Sequence, residues 1–451
     1  MKGEINLTKK ITILGGGPGG YVAAIKAAQN GGEVTLIEKS SLGGTCLNWG
    51  CIPTKAYVEK AENISTDSLK SIKEYKDQVV EQLVKGVETL VNKNKIKLIR
   101  GTGKVISPRK VEVTTQEEQI IIENDYLILA TGSKASKLPI PGLDLPQVID
   151  NQGILELEEK PENLVIIGGG VIGIEFAQIF ARLGSKVTIV EFLPRILAGF
   201  DDELVRRLQP VLRKEGIEIL TGSKVTQVNA LEKGLEVHIE GKKNQVLPAD
   251  QVLVAAGRQP NFEGIAVEEL GLELEGRFIK VNEKMLTNLP QVYAIGDIVA
   301  SPMLAHVASY EGEVAVKDIF TGQGEANYTA VPSSLYTHPE LASVGITEAQ
   351  AKEQGLKYKV GKFPFSANGR ALTKGEAYGM VKILADEETG KVLGAHILGP
   401  QASELIQTLT LAIRWGLTVE QITETIHGHP TLSEAIMESA NSVFGKAIHF
   451  L

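Results

Sequence analysis

At 451 residues the chain is too long to fold around one hydrophobic core, so two to four domains are expected. Hydrophobic residues at 43% and charged residues at 23% fit an ordinary soluble globular protein. The formal charge of −8, with no block of Lys or Arg, argues against nucleic acid or an anionic membrane as the main partner.

The most apolar stretches, Ile11–Ile25 and Leu164–Ile174, are glycine-rich and shorter than the ~18 residues of a membrane span. The ten residues before the first strand-like run lack the apolar core of a secretory signal, so a cytoplasmic location is expected. A processed organellar protein would read the same way.

In chain order, a strand over Ile11–Leu14 leads into Gly15-Gly16-Gly17-Pro18-Gly19-Gly20, a helix over Tyr21–Gln29 and a strand over Val34–Ile37 ending at Glu38. The unit recurs. A strand over Leu164–Ile167 leads into Gly168-Gly169-Gly170-Val171-Ile172-Gly173, a helix over Ile174–Leu183 and a strand over Val187–Val190 ending at Glu191. In both copies the acid lies 23 positions after the first glycine. Each copy carries a dinucleotide fingerprint. Gly15 and Gly168 permit the tight turn, Gly17 and Gly170 admit a pyrophosphate, and Gly20 and Gly173 let helix and strand pack closely. The phosphates would face the unpaired N–H groups of the helix N-terminus. Glu38 and Glu191 could accept hydrogen bonds from the ribose hydroxyls. One such motif arises by chance, but two with identical spacing point to two bound dinucleotides.

Further on, a strand over Tyr126–Ala130 ends in Thr131-Gly132, and one over Val252–Ala256 ends in Gly257-Arg258. Both match the strand-end turns that cover a bound dinucleotide. Pro139, Pro141 and Pro146 place a boundary near residue 145. A strand over Val292–Ile295 ends in Gly296-Asp297, where the aspartate fits either a cofactor's polar chain or a plain turn. From Pro332 the texture changes. Alternating runs Tyr378–Leu384 and Val392–Leu398, joined by Glu388-Thr389-Gly390, predict an antiparallel sheet. Helical patterns follow over Ala402–Ile413 and Val419–Ile426. The expected domains are therefore 1–145, 146–265, 266–331 and 332–451, the last suited to dimerisation or to completing a site.

Cys46 and Cys51 are the two cysteines. A bond closing so short a loop stabilises little, and in a reducing compartment a close pair is more often catalytic or metal-binding. Five residues of regular helix advance about 7.5 Å. A disulfide wants its Cα atoms roughly 4.4–6.8 Å apart. A Cys46–Cys51 bond therefore needs a distorted turn, for which Gly50 supplies freedom, and strained short-loop disulfides are easily reduced. A zinc site would need two further ligands, which would have to be histidines. The glycine-rich spacing and the neighbouring dinucleotide fold do not suit one, and no metal is expected.

The run Gly43-Gly44-Thr45-Cys46-Leu47-Asn48-Trp49-Gly50-Cys51-Ile52-Pro53-Thr54-Lys55, with the two fingerprints, resembles the flavoprotein disulfide reductases, most closely their dihydrolipoamide-oxidising branch. The resemblance runs through Ala130-Thr131-Gly132, Gly296-Asp297 and Tyr336-Thr337-His338-Pro339-Glu340 to His427-Gly428-His429-Pro430-Thr431-Leu432-Ser433-Glu434. It implies an α/β protein of two Rossmann-like domains, the first holding FAD and the second NAD, plus a C-terminal α+β domain that forms a homodimer. Glu38 would bind the FAD ribose and Asp297 the ribityl–pyrophosphate region. Cys46 would exchange with substrate, Cys51 would lie against the flavin, and Lys55 and Glu175 would pair near the flavin edge. His429, given across the dimer interface and oriented by Glu434, would be the acid–base group, with His338 and His427 structural. The chemistry explains the residue type. A thiol of pKa about 8.5 must lose its proton, and an imidazole of pKa about 6.5 accepts one at neutral pH.

Glu191 favours NAD over NADP, since a carboxylate repels a 2′-phosphate. Glutathione-reductase-like members carry arginines there and six residues later, where this chain has Glu191 and Leu197, with Arg195 on another phase of the loop. Mercuric and large thioredoxin reductases need a further redox or metal-binding group near the C-terminus, and the run Gly445 to Leu451 contains no cysteine. The expected activity is oxidation of protein-bound dihydrolipoyl groups, with electrons passing through Cys46–Cys51 and FAD to NAD. The partner would be the lipoyl domain of a 2-oxoacid dehydrogenase or glycine cleavage complex. The alternatives are a paralogue acting on another small disulfide, a diaphorase, or a redox-inactive dinucleotide-binding subunit.

Overall fold

The structure, a computed structural model, describes residues 8–62 and 68–450. The expectation about a leader falls largely on residues 1–7, outside the described residues.

The repeat in the sequence becomes a repeat in space. The first sheet runs Val292–Ala294, Tyr126–Leu129, Lys10–Leu14, Glu33–Glu38, Lys97–Arg100, all parallel. The second runs Val148–Ile149, Gln251–Val254, Asn163–Ile167, Lys186–Glu191, Glu218–Thr221, also all parallel. In each, the fingerprint strand sits at the centre and the chain crosses from one side of it to the other. Ligands of open α/β sheets bind beyond the strand ends at such a switch point. Parallel strands are covered on both faces, which is why they read as unbroken apolar runs. Ile11, Ile13, Leu36, Ile37, Leu164, Ile166, Val187 and Ile189 are all buried.

Both fingerprint helices start three residues earlier than the sequence patterns suggest, at Pro18–Gln29 and Val171–Arg182. The later glycines of each motif form the first helical turn, and Pro18 suits its first position because its missing N–H would be unpaired there anyway. Within the span 266–331, strand Val292–Ala294 completes the first sheet and helix Ala305–Thr321 packs on helix Pro18–Gln29. The two helices approach closely because both are bare at the crossing. A Cβ on Gly19 would sit 3.0 Å from the Ala308 carbonyl oxygen, and one on Gly312 only 2.8 Å from that of Gly19.

The C-terminal domain is a five-stranded antiparallel sheet in the order Ser333–Leu335, Glu340–Gly345, Val392–Gly399, Met380–Asp386, Tyr358–Pro364. Helices Ala402–Arg414 and Glu434–Ser442 cover it, burying Ile383, Ile397, Ile406, Leu409 and Ile436. The strand expected from Tyr378 begins at Met380, and the Tyr378 hydroxyl instead donates to the Arg207 carbonyl of the second domain at 2.7 Å. The molecule is thus two Rossmann-like α/β units and an α+β domain. Among the described residues no helix is long and apolar enough to cross a membrane.

Candidate active site

The three glycines of each fingerprint are required for two different reasons. Gly15 and Gly168 have φ of +108° and +113°, and a Cβ there would lie 2.2 and 2.5 Å from the carbonyl oxygens of Ala130 and Ala255. A Cβ on Gly20 or Gly173 would fall 1.8 or 2.1 Å from the oxygen of Gly15 or Gly168. These four hold the protein together. Gly17 and Gly170 differ, with ordinary φ of −68° and −79°. A Cβ on Gly170 would meet no atom within 4 Å, and one on Gly17 only the Gly44 Cα at 3.9 Å. Nothing in the chain demands glycine there, and the open space leaves room for a body outside it. Each faces a helix N-terminus, so a pyrophosphate fits both cradles.

Glu38 and Glu191 have a role that the spacing did not disclose. Glu38 accepts from the backbone N–H groups of Gly16 at 2.7 Å and Ser40 at 2.8 Å. Glu191 accepts from those of Gly169 at 2.6 Å and Leu193 at 2.7 Å. Each carboxylate clips the glycine loop to the next strand. Lone pairs remain for ribose hydroxyls, because a carboxylate offers about four acceptor sites. Leu197 is buried, its N–H donating to the Gly169 carbonyl at 2.9 Å. Arg195 is held by Asp202 at 2.7 Å and by the Ala198 and Phe200 carbonyls. Both are turned to the loop's own structure, which fits a pocket without a 2′-phosphate partner.

The strand-end turns meet between the two folds. Ser133–Ala135 pairs antiparallel with Arg258–Pro260. Arg258 donates to the Ser133 hydroxyl and carbonyl, both at 2.7 Å, and that hydroxyl donates to Asp297. Burial lowers the Arg258 pKa, against the opposing charge of Asp297. The Thr131 hydroxyl is engaged by the Asn261 carbonyl at 2.6 Å. Gly132 and Gly257 leave open space where a Cβ would project. Gly296, beside Asp297, donates its N–H at 2.6 Å to Glu311, a fully buried carboxylate that also accepts from the Tyr328 hydroxyl and that no local motif in the sequence marks. Burial pushes the Glu311 pKa up despite those hydrogen bonds.

The cysteines sit where helix Gly44–Trp49 breaks into helix Cys51–Glu62. Gly50 makes the break at φ −138°, ψ −111°, and a Cβ there would lie 3.0 Å from the Thr45 oxygen and 3.3 Å from the Cys46 Cα. Both thiols are free, Cys46 half-buried and Cys51 exposed. The hydrogen bond from Cys46, aided by the Lys55 charge, holds the Cys51 thiol down at about 7. The same bond and burial push Cys46 well above the ordinary thiol range. Lys55, one turn after Cys51, pairs with both Glu175 oxygens at 2.9 and 3.0 Å. Glu175, whose side chain is 3% exposed, also accepts from the Tyr336 N–H at 2.9 Å, and Lys55 lies 4.4 Å from the Tyr336 ring centroid. Residues from all three domains therefore converge beside the dithiol. The His338 backbone docks on Gln178 through bonds of 2.8 and 3.0 Å, tying this motif to the second fingerprint helix.

His429 and Glu434 are brought together. The ring Nδ1 lies 2.9 Å from one Glu434 oxygen, and the other oxygen accepts from the Thr431 N–H at 2.8 Å. Burial alone would raise the Glu434 pKa, but the Thr431 N–H and His429 keep it lowered. With Nδ1–H directed at the carboxylate, Nε2 is left as the accepting atom. The His429 side chain is 80% exposed. Among the described residues neither member of this pair bonds to the cysteine segment of the same chain. His427 is tied to the Thr425 carbonyl at 2.8 Å.

Comparison with known proteins agrees with this geometry. The family model described as pyridine nucleotide-disulphide oxidoreductase matches residues 9–312, and that of the same family's dimerisation domain matches 331–440. Among curated relatives, dihydrolipoyl dehydrogenase 1, mitochondrial, of Arabidopsis thaliana is 43% identical, covering 97% of this chain and 91% of its own. Dihydrolipoyl dehydrogenase of Geobacillus stearothermophilus is 40% identical over 100% of this chain and 99% of its own. Among solved structures, an HOCl-induced flavoprotein disulfide reductase of Escherichia coli superposes with a TM-score of 0.90 at 30% identity, over 96% of this chain and 99% of that one. The two family models together span the dinucleotide folds with their dithiol and the C-terminal domain, and the chain belongs to the pyridine nucleotide-disulphide oxidoreductases.

Proposed function

We propose that the protein is a dihydrolipoamide dehydrogenase, oxidising dihydrolipoyl groups with NAD and working as a homodimer. The observation that carries the reading is the Cys46–Cys51 pair beside the Lys55–Glu175 ion pair, between one cradle at Gly17 and another at Gly170. FAD fits the first cradle, with Glu38 and Asp297 at its polar chain, and NAD fits the second, with Glu191 at the ribose. When bound, they supply a two-electron acceptor for the dithiol and a final hydride acceptor.

The residues of the chain perform the sulfur and proton chemistry. One dihydrolipoyl thiol gives its proton to His429 Nε2, and its sulfur attacks Cys46 of the oxidised pair. The Cys46–Cys51 bond breaks, and Cys51 leaves as a thiolate, stabilised by the charge of Lys55. The second lipoyl thiol then attacks the mixed disulfide. Cys46 departs with the imidazolium's proton while the ring takes up the proton of that second thiol. Lipoyl disulfide leaves, the protein pair is reduced, and one proton rests on each of Cys46 and His429. Glu434 keeps the ring in the accepting tautomer throughout. A free thiol pair that is reduced in turnover suits a reducing compartment such as the cytoplasm, and a lipoyl domain is the fitting protein partner.

The test is NAD reduction by the purified holoenzyme with dihydrolipoamide, beside NADPH and glutathione-disulfide assays. Rapid NAD-linked turnover that Cys46→Ser abolishes supports the reading. Bound flavin without lipoamide turnover would overturn it and move the substrate to another disulfide.

A further inference from the structure

Away from the cysteines, the C-terminal domain reaches the nucleotide loop of the second fold through one buried lysine. Lys382, on strand Met380–Asp386, is 1% exposed. Its ammonium meets three carboxylates, Glu348 at 2.8 Å, Asp201 at 3.0 Å and Glu203 at 3.3 Å. Lys352 pairs with Glu348 and Lys362 with Glu203, so the cluster is close to neutral. Burial alone would lower the Lys382 pKa, but the Glu348 hydrogen bond and the Asp201 charge leave it raised. His396, its neighbour across the sheet, is buried between the Ser343 hydroxyl and the Ile346 carbonyl, and desolvation holds its pKa down at about 4, so it adds no charge. A buried lysine survives only with such partners.

Asp201 matters because of where it lies in the chain. It caps helix Asp202–Lys214, accepting from the N–H groups of Glu203 at 3.0 Å and Leu204 at 3.4 Å. It also ends the segment that starts at Glu191. That segment is pinned at its beginning by Gly169 on Glu191, and at Leu197 by the bond to the Gly169 carbonyl. Arg195 braces the remainder against Asp202. The far end of the loop around the second cradle therefore rests on the C-terminal domain, and Lys382 is the contact.

We infer that Lys382, through Asp201, is a positioning residue for the dinucleotide loop 191–201, so that the C-terminal domain sets how well the second fold binds its nicotinamide dinucleotide. This rests on the reading above that the second fold takes NAD. Neither residue touches the ligand; they hold the loop that does.

Asp201→Asn is the deciding variant, because asparagine caps a helix about as well as aspartate and only the charge is lost. Lys382→Met removes the other partner, and Glu388→Gln is the control, taking a charge from an exposed ion pair of the same domain that does not reach the loop. The holoenzymes would be compared by steady-state kinetics and by fluorescence titration with NADH. The expected result for Asp201→Asn is a rise of about tenfold in the KM for NAD and the Kd for NADH, within the usual span of coupling between separated sites. The KM for dihydrolipoamide and the flavin content stay at wild-type values, Lys382→Met follows Asp201→Asn, and Glu388→Gln matches wild type. An unchanged NADH affinity in folded Asp201→Asn would overturn the inference. So would equal losses in both substrates, which mark a general loosening. A wild-type enzyme inert toward dihydrolipoamide would sink the functional reading alone, since NADH binding still reads the loop.

Discussion

The two sulfurs of the dithiol are unequal acids: Cys51 is lowered to about 7, while Cys46 is raised beyond the ordinary thiol range. Their mutual hydrogen bond is the first cause, since one proton shared between two sulfurs makes the first ionisation easy and the second hard. Lys55 is the largest further influence lowering Cys51. A depressed acid is ionised above its shifted value and protonated below it. Alkylation of the reduced protein by iodoacetamide should therefore rise through about pH 7 for one thiol equivalent, with the second reacting only at much higher pH. Lys55→Met should move the first rise to higher pH, and Lys55→Arg should restore it. Two thiols titrating together at the ordinary value would show that the hydrogen bond is not the cause. The size of this splitting was not legible in the residues themselves; only the family resemblance assigned Cys46 to the substrate and the thiolate to Cys51 beside the flavin.

Among elements, the fingerprint turns separate what the fold needs from what a ligand needs. Gly170→Ala adds a Cβ where the chain has no atom within 4 Å, on a backbone that alanine adopts freely. Gly173→Ala puts one 2.1 Å from the Gly168 oxygen. The first should leave the melting temperature unchanged and weaken NADH binding. The second should cost about 1–3 kcal/mol of stability, the usual penalty of forced overpacking. Equal melting temperatures for the two variants would refute the distinction. The turns were legible because they are local, with every partner inside one βαβ unit. Helix Leu69–Lys93 was not, although Lys76 within it is buried against Glu156 at 2.9 Å at the start of the second domain. The meanders Thr102–Ser107 to Gln119–Glu123 and Lys224–Ala230 to Gln245–Ala249 were also missed. Their strands alternate buried and open positions, as Lys110–Thr114 and Leu235–Glu240 do, so the period-two signal was there but the runs are short. Glu311, Asp201 and Lys382 were invisible for a further reason: a buried charge is identified by its partners, and theirs come from other segments.

For the whole molecule the open question is which chain supplies His429. The C-terminal domain that carries it exposes large apolar side chains, Ile426 at 97%, Trp415 at 72% and Leu411 at 59%. Ile426 lies three residues from His429, so a surface that covers one reaches the other. Domain 331–440 matches a dimerisation model, and a two-fold dimer buries the same patch on both subunits. This leads to a complementation experiment with two inactive variants, Cys46→Ser and His429→Gln. If each site takes its cysteines from one chain and its histidine from the other, a mixed dimer holds one intact site and one doubly defective site. If both come from the same chain, the mixed dimer holds none. Random reassembly of equal amounts makes half the dimers mixed, so about a quarter of wild-type lipoamide turnover should return under two-fold pairing. Ile426→Asp should weaken the dimer and lower lipoamide turnover while the flavin content holds. No recovery in verified mixed dimers would place His429 beside its own chain's cysteines, and the sulfur chemistry would then have to be completed within one subunit.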